Sequence, residues 1–224
     1  MSRESKSVRT MLVIGLGRFG KHLATKLVDL GNEVMVVDVD EEIVKKIAPL
    51  VTNAQIGDCM DPDVLSTLGV RNFDVCFVCM SDNFQSSLEI TSLLKEMGAK
   101  CVVAKTDREI HAKFLYKIGA DNIIFPERDM AQRAAVKYST KNSYDYIELT
   151  PEYAIFELLA PALWVGKTVS ELNVRSAHNI NIIGTKKDGK VTPMTDAGHI
   201  FTDKEHLIIA GAKDDLIKLS LEDA

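Results

Sequence analysis

The stretch of sequence that decides the fold is residues 11–20, which read MLVIGLGRFG. The apolar run Met11 to Ile14 predicts a short buried strand, and the three glycines that follow it, Gly15, Gly17 and Gly20, open a helix. The first glycine allows a tight turn, the second lets backbone come close to a pyrophosphate, and the third lets the helix pack against the strand. The N–H groups at the helix start then face the anion. The stretch therefore predicts a site for the phosphates of a nucleotide.

A second signal is Asp38, which ends the next predicted strand about 20 residues beyond the glycines, where this arrangement places an acid that binds ribose hydroxyls. A carboxylate there repels a 2′-phosphate, which disfavours NADP. NAD, NADH, ATP, ADP and AMP all remain open, because each has a free ribose diol and a phosphate group. The other interpretation of Asp38 is an ordinary capping residue before Asp40, Glu41 and Glu42.

Five more side chains are candidates for contacts with the nucleotide. Arg18, inside the glycine loop, carries a planar cation that can reach past a pyrophosphate to a third phosphate, and Phe19 lies beside it. Asp58 and Asn83 follow the third and fourth predicted strands, where Asp58 would meet the adenine edge, but both also fit helix caps. Lys105, at the end of the fifth strand, is a candidate phosphate ligand. For Arg18 and Lys105 the alternative is an exposed surface cation.

Short β-branched runs alternate with amphipathic helical stretches as far as residue 139, which indicates a parallel sheet covered by helices on both faces. We predict a Rossmann-type, doubly wound α/β domain over residues 1–140. A helix from Glu127 to Tyr138 and a polar linker over residues 139–145 are predicted at its end. The six predicted strands are Met11 to Ile14, Glu33 to Asp38, Ala54 to Ile56, Val75 to Met80, Cys101 to Lys105 and Asn122 to Phe125.

The remaining residues, 141–224, change to short strands separated by turns, which predicts a small α+β domain that binds a ligand or dimerises. The segment Lys187 to Lys190, with its Asp-Gly pair, reads as a hairpin turn. The predicted strands are Tyr146 to Leu149, Ala154 to Leu159, Asn181 to Lys187 and His206 to Ala212, and the predicted helices are Thr168 to Leu172 and Lys213 to Leu219.

The composition narrows the classes of function. The 224 residues include 27 Lys and Arg against 32 Asp and Glu, a net charge of -5, so the chain lacks the surplus of cations that neutralises a phosphate backbone. We therefore expect no nucleic acid partner. No run approaches the roughly 18 apolar residues of a membrane span, and residues 1–9 lack the apolar core of a secretion signal. The sequence predicts a cytoplasmic protein that does not insert into the membrane.

The four cysteines are Cys59, Cys76, Cys79 and Cys101, and the Cys76-x-x-Cys79 spacing is shared with redox and zinc sites. This pair lies inside an apolar run, whereas a redox pair normally starts a helix. No second pair completes a tetrahedral set of zinc ligands. We therefore predict buried thiols that serve packing.

Taken together, four segments resemble the regulator-of-potassium-conductance family, and more narrowly its cytosolic Ktr/Trk-type subunits. They are Val13 to Gly20, Val36 to Asp38, Lys117 to Asp121 and Pro126-Glu127. The resemblance covers nearly the whole chain. It implies homodimers that assemble into an octameric ring under a membrane-embedded potassium-conducting subunit, and hence a position at the inner face of the membrane. ATP and ADP would favour different ring shapes and so different states of the gate.

The same resemblance implies roles for particular residues. Arg18 would lie near the γ-phosphate bound in a neighbouring subunit. Glu127 would meet its dimer mate and hold a divalent cation, Mg or Ca, although a glutamate at a helix start is also favoured by the helix dipole. Asn173, Arg175 and Ile182 resemble the region where relatives bind cyclic di-AMP between two subunits. The alternatives are a surface residue for Arg175 and a core residue for Ile182.

Two other classes share the glycine pattern. An NAD-dependent oxidoreductase would need an acid and base for hydride transfer, and the residues beyond the first predicted domain show no evident His/Asp, Lys or Tyr-Lys arrangement for that task. A stand-alone NAD or redox sensor that controls transcription would need a DNA-binding module, and no basic face or helix-turn-helix segment is visible. We expect a regulatory protein without turnover.

Overall fold

A computed structural model describes residues 8–80, 83–139, 143–193 and 196–221. The chain divides into two compact units, Met1–Arg128 and Asp129–Ala224. This division falls inside a helix and earlier than the boundary predicted after residue 140. The reason is that Val136, on the later part of that helix, packs against the hydrophobic core of the second unit.

The first unit contains a six-stranded parallel sheet in the order β3-β2-β1-β4-β5-β6. This is the doubly wound order that the alternating pattern predicts, and its switch point lies between β1 and β4. Strand β1 is central, so the carboxyl ends of β1 and β4 form a crevice at one edge of the sheet. The strands are β1 (Thr10–Ile14), β2 (Glu33–Asp38), β3 (Asn53–Ile56), β4 (Val75–Val78), β5 (Val102–Lys105) and β6 (Asn122–Ile124).

Within the described residues, five α-helices connect these strands and a sixth follows β6. Two of them begin where the sequence places a cap: Asp61 accepts a hydrogen bond from the N–H of Asp63, and Asn83 accepts one from the N–H of Ser86. The helices are α1 (Arg18–Asp29), α2 (Glu41–Ile47), α3 (Pro62–Leu68), α4 (Phe84–Glu96), α5 (Glu109–Lys117) and α6 (Pro126–Ser139).

Helices cover both faces of this sheet, and β1 shows why its residues are apolar without interruption. Leu12 and Ile14 belong to the hydrophobic cluster on one face, whereas Met11 and Val13 belong to the cluster on the other. All four are at most 5% exposed. Successive strand residues point to opposite faces, so a strand buried on both sides needs an apolar residue at every position.

The second unit is built on a five-stranded antiparallel sheet in the order β10-β9-β11-β8-β7. Phe156, Leu207 and Ile209 fill its core together with Trp164 and Leu216. The predicted α+β class is thus confirmed. The strands are β7 (Ser143–Glu148), β8 (Tyr153–Leu159), β9 (Ile180–Lys187), β10 (Lys190–Pro193) and β11 (His206–Ala212), and the helices are α7 (Val169–Leu172), α8 (Val174–His178) and α9 (Lys213–Leu221).

The hairpin turn between β9 and β10 is confirmed, with Asp188 at φ 49° and Gly189 at φ 77°. Three details differ from the prediction. Strand β10 was not among the predicted strands. Strand β7 begins at Ser143, inside the predicted linker, of which residues 140–142 lie outside the described residues. Helix α8 was not predicted. Of the helices within the described ranges, none has the combination of length and hydrophobicity needed to cross a bilayer.

Candidate functional site

A cleft of about 300 Å³ opens at the crevice between the carboxyl ends of β1 and β4. This volume is at the lower end of the range for small-molecule sites. Five segments of the first unit meet there: the loop after β1, the end of β2, the segment after β4, the end of β5 and the start of α6. The residues that line the cleft are Gly15, Gly17, Arg18, Phe19, Asp38, Cys79, Met80, Asn83, Lys105 and Glu127.

The three glycines of the loop differ in how much space surrounds each of them. Gly15 has φ +91°, and a Cβ atom there would lie 2.9 Å from Cγ of Met80. A Cβ on Gly20 would lie 2.0 Å from the carbonyl oxygen of Gly15, so the first turn of α1 packs directly on the loop backbone. By contrast, a Cβ on Gly17 would meet nothing within 4 Å. The open space in front of Gly17 is what the close approach of a phosphate requires.

Helix α1 starts at this loop without a side-chain cap. Gly17 is its N-cap residue, and the first turn contains no acidic residue. The first N–H groups of a helix have no partner within the helix, and they carry the positive end of the helix dipole. With 12 residues behind it, the N-terminus of α1 is suited to an anion at the mouth of the cleft.

Asp38 joins the loop to the end of β2. Its carboxylate accepts hydrogen bonds from the N–H of Leu16 at 2.5 Å and from the N–H of Asp40 at 2.9 Å. It is half-buried and lines the cleft. Each carboxylate oxygen has a second lone pair, so Asp38 retains acceptor capacity for ribose hydroxyls. The cap before Glu41 is Asp40 and not Asp38, since the side chain of Asp40 accepts the hydrogen bond from Ile43.

A lysine and a glutamate form an ion pair in the cleft. Nζ of Lys105 lies 3.0 Å from Oε1 of Glu127 and 5.8 Å from the centre of the Phe19 ring. The hydrogen bond from Lys105 lowers the pKa of Glu127, and the nearby charge of Arg18 acts in the same direction. Arg18 itself is exposed at the mouth of the cleft. Three charges from three segments therefore surround the space beside the glycine loop.

Two lining residues, Cys79 and Met80, were not predicted as site residues. They directly follow β4, the strand that neighbours β1, and this position was the signal that could have found them. Burial raises the pKa of Cys76 and of Cys79 to about 12. The prediction of buried packing thiols is confirmed for this pair.

Asn83 caps α4 and also lines the cleft, and its contact with a nucleotide stays a prediction. Asp58, in contrast, is not among the residues that line the cleft. Its carboxylate turns back within its own loop and accepts a hydrogen bond from the N–H of Met60 at 2.9 Å. A contact between Asp58 and adenine stays a prediction.

The TrkA-N domain model matches residues 11–126, and the TrkA-C domain model matches residues 153–221. The chain is 39% identical over 204 residues to Ktr system potassium uptake protein C of Bacillus subtilis (strain 168), covering 91% of this chain and 92% of that protein. This chain belongs to the Ktr/TrkA family.

Two further proteins are similar to this chain, one in sequence and one in fold. Ktr system potassium uptake protein A of Bacillus subtilis (strain 168) is 38% identical over 210 residues, covering 94% of this chain and 95% of that protein. The solved structure of the GsuK channel bound to NAD superposes with a TM-score of 0.66 at 19% identity, covering 96% of this chain. The matched part is 39% of that channel chain, and at this identity the likeness concerns the fold. The resemblance drawn from the sequence is confirmed.

The Ktr/TrkA resemblance also implies a cation site at Glu127, which lines the cleft, and a cyclic di-AMP site in the second unit. The described ranges contain no group of three or more His, Cys, Asp or Glu that could hold a metal ion, so a cation at Glu127 would need ligands from elsewhere. Asn173, at φ 45°, separates α7 from α8, and Arg175 is exposed on α8. Ile182 packs against the core of the second unit. Binding of cyclic di-AMP at these residues stays a prediction.

Proposed function

We propose that this chain is a regulatory subunit of a membrane potassium-transport system and that it senses adenine nucleotides in the cleft of its first unit. One observation carries the proposal: the glycine loop, open in front of Gly17, and the carboxylate of Asp38 face the same cleft. The first suits phosphate groups and the second suits a ribose diol. The relatives named for potassium uptake support the biological setting.

The charges in the cleft favour a ligand with a phosphate tail. Arg18 and Lys105 line it together with the N-terminus of α1. The carboxylate of Asp38 disfavours a 2′-phosphate at the ribose and hence NADP. Because ATP and ADP end in a free phosphate tail, we propose that they bind more tightly than NAD and NADH. The structure of GsuK bound to NAD is consistent with nucleotide binding by this fold.

We further propose that the chain has no catalytic turnover. Asp38 is engaged with two backbone N–H groups, Lys105 is engaged with Glu127, and burial keeps the thiol of Cys79 protonated. A proton-transfer catalyst needs a group with a pKa near the working pH, and Cys79 is far from that condition. An NAD-dependent oxidoreductase is the alternative that this arrangement disfavours.

The proposed function also implies a particular assembly of several copies of this chain. Following the family resemblance, we propose homodimers in an octameric ring on the cytoplasmic side of a membrane-embedded potassium-conducting subunit. The exposed side chain of Arg18 would reach the terminal phosphate in a neighbouring copy. Glu127 from two copies would share a divalent cation, Mg or Ca. Cyclic di-AMP would bind between two second units near Arg175.

Isothermal titration calorimetry of the purified chain with ATP, ADP, NAD and NADH tests the proposal, together with an assay for NADH oxidation. We expect micromolar binding of ATP and ADP, weaker binding of NAD and NADH, and no NADH oxidation. Native mass spectrometry with ATP and with ADP then reports the assembly. Failure of ATP and ADP to bind would remove the sensing function. Tight NADH binding accompanied by turnover would favour the oxidoreductase.

A further inference from the structure

The ion pair between Lys105 and Glu127 is strongly asymmetric in its burial. The side chain of Lys105 is 11% exposed, whereas the side chain of Glu127 is 62% exposed. A buried ammonium group is costly without a partner, but an exposed carboxylate that loses its partner is simply hydrated. Lys105 therefore requires a negative partner in the cleft, and Glu127 is a partner that can be exchanged.

The position of Glu127 matches that of a ligand phosphate. It lines the same cleft as the glycine loop, it accepts the hydrogen bond of Lys105, and the charge of Arg18 also acts on it. Lys105 thus contacts this carboxylate directly, and Arg18 lines the same cleft without an ion pair to Glu127 among the described contacts. Phosphate oxygens are stronger hydrogen-bond acceptors with more negative charge, so they compete well for the same cations.

We propose that Glu127 is a resident phosphate mimic, which a ligand with a phosphate tail displaces from Lys105. This inference rests on the proposed nucleotide-sensing function and adds a regulatory device to it. In the absence of ligand, the pair ties the first turn of α6 to the end of β5. When the terminal phosphate of a nucleotide binds Lys105, this ion pair is released, and the carboxylate of Glu127 becomes available to another partner.

The mechanism makes the tail of the ligand decisive. Adenosine has no phosphate and leaves the ion pair intact, whereas ADP and ATP carry phosphates that reach Lys105. A second tie of α6 persists in all states, because Arg128 pairs with Glu109 and its guanidinium lies 3.8 Å from the centre of the Phe125 ring. Ligand binding therefore loosens the first turn of α6 without detaching the helix.

The test is calorimetry of the full chain with adenosine, ADP and ATP in EDTA, which removes any contribution of a divalent cation. Glu127→Gln should tighten ADP and ATP by about three- to tenfold, because no carboxylate competes for Lys105, and should leave adenosine unchanged. In a Lys105→Met background the same substitution should give no such gain. Glu41→Gln removes an exposed, ion-paired carboxylate from outside the cleft and away from α6, and is the matched control.

Hydrogen exchange supplies a second readout. The first turn of α6 should exchange faster with ADP bound to the wild type, and in Glu127→Gln without ligand. If the wild type binds no adenine nucleotide, both the proposed nucleotide-sensing function and the role of Glu127 as a phosphate mimic are wrong. If it binds ADP but Glu127→Gln does not tighten it, only the mimic is wrong. A gain that persists fully in Lys105→Met would assign Glu127 to general charge repulsion and would also overturn the mimic.

Discussion

The carboxylate of Asp38 accepts a hydrogen bond from the backbone N–H of Leu16, which lies between the first two glycines of the loop. The preceding N–H, that of Gly15, donates to the carbonyl oxygen of Val37 at 3.0 Å. The end of β2 thus holds the glycine loop at two consecutive positions. Loop geometry and the proposed ribose contact depend on the same side chain.

Removal of this side chain should therefore affect both binding and stability. We expect Asp38→Ala to abolish ADP binding and to lower the free energy of unfolding by about 1–2 kcal/mol, because two N–H groups lose their acceptor. Asp38→Asn keeps one acceptor oxygen and should lose less stability. Calorimetry and urea denaturation measure the two effects, with Asp29→Ala at the exposed end of α1 as control. Unchanged ADP affinity in Asp38→Ala would exclude the ribose role.

The second and third glycines of the loop should separate binding from folding. Gly20→Ala would force a methyl group against the carbonyl of Gly15 and should lower the free energy of unfolding by about 3 kcal/mol. Gly17→Ala meets no neighbour and should change stability by less than about 1 kcal/mol. It should nevertheless weaken ADP binding about tenfold, and Gly17→Asp should abolish it. Thermal denaturation and calorimetry of the variants test this contrast, and equal loss of stability in Gly17→Ala and Gly20→Ala would contradict it.

Arg18 should distinguish ATP from ADP. Because its exposed side chain is proposed to reach the third phosphate, Arg18→Ala should weaken ATP about tenfold while largely sparing ADP. Stability should not change, since the side chain is exposed. Lys26→Ala, at the other end of α1, is the control for loss of a positive charge. An unchanged ratio of ATP to ADP affinity, measured by calorimetry, would show that the role assigned to Arg18 is wrong.

Acid should destabilise the second unit, because the carboxylate of Glu157 becomes protonated. Burial opposes ionisation of this carboxyl group, but hydrogen bonds from Lys186 and His206, both at 2.8 Å, outweigh burial and hold its pKa below the ordinary 4.5. The unfolded chain therefore binds a proton more readily than the folded chain. The stabilisation is complete above about pH 5 and declines as the pH falls through the lowered pKa.

Thermal denaturation from pH 7 to about pH 3 measures this effect. Glu157→Gln should be less stable than the wild type at pH 7, and the difference should shrink as the pH falls. Glu152→Gln, in the same unit, is the control for loss of a carboxylate. A difference between Glu157→Gln and the wild type that stays constant with pH would refute the assignment.

The three buried cysteines should be inert in the folded protein, whereas Cys101 is only partly buried. The pKa values of Cys59, Cys76 and Cys79 are raised to about 12, by burial first and, for Cys59, also by the charges of Asp58 and Asp38. Because only the thiolate reacts, modification by a disulfide reagent should be more than about a hundredfold slower than for a free thiol. In denaturant all four cysteines should react quickly. Rapid modification of native Cys79 would reopen the redox interpretation.

Much of the first unit was predictable. Its strands are short apolar runs, and its glycine loop is encoded by consecutive residues of the sequence. The sequence could also indicate Asp38, since its distance from the glycines is set by one helix and one turn. It could not show that Asp38 binds Leu16, which depends on the pairing of β1 with β2. Nor could it show that Lys105 and Glu127 meet, since they lie in separate segments that only the folded sheet brings together.

The elements that the sequence did not predict correctly also have physical explanations. Strand β4 ends at Val78, two residues earlier than predicted, because the apolar run continues through Cys79 and Met80 into the wall of the cleft. Helix α8 is only five residues long and lies between Asn173 and Asn179, both at positive φ. So short a helix leaves no periodic pattern, although the two asparagines mark its ends in retrospect.

The sheet of the second unit is open, and in the described part of the chain β7 and β10 each pair with a neighbour on one side alone. Such an edge can recruit a strand from another molecule. Strand β10 is a poor template, because it is four residues long and ends in Pro193, which has no N–H to donate. Strand β7 is longer and bears Ile147, which is 52% exposed. Aggregation on heating or concentration should accordingly start along β7.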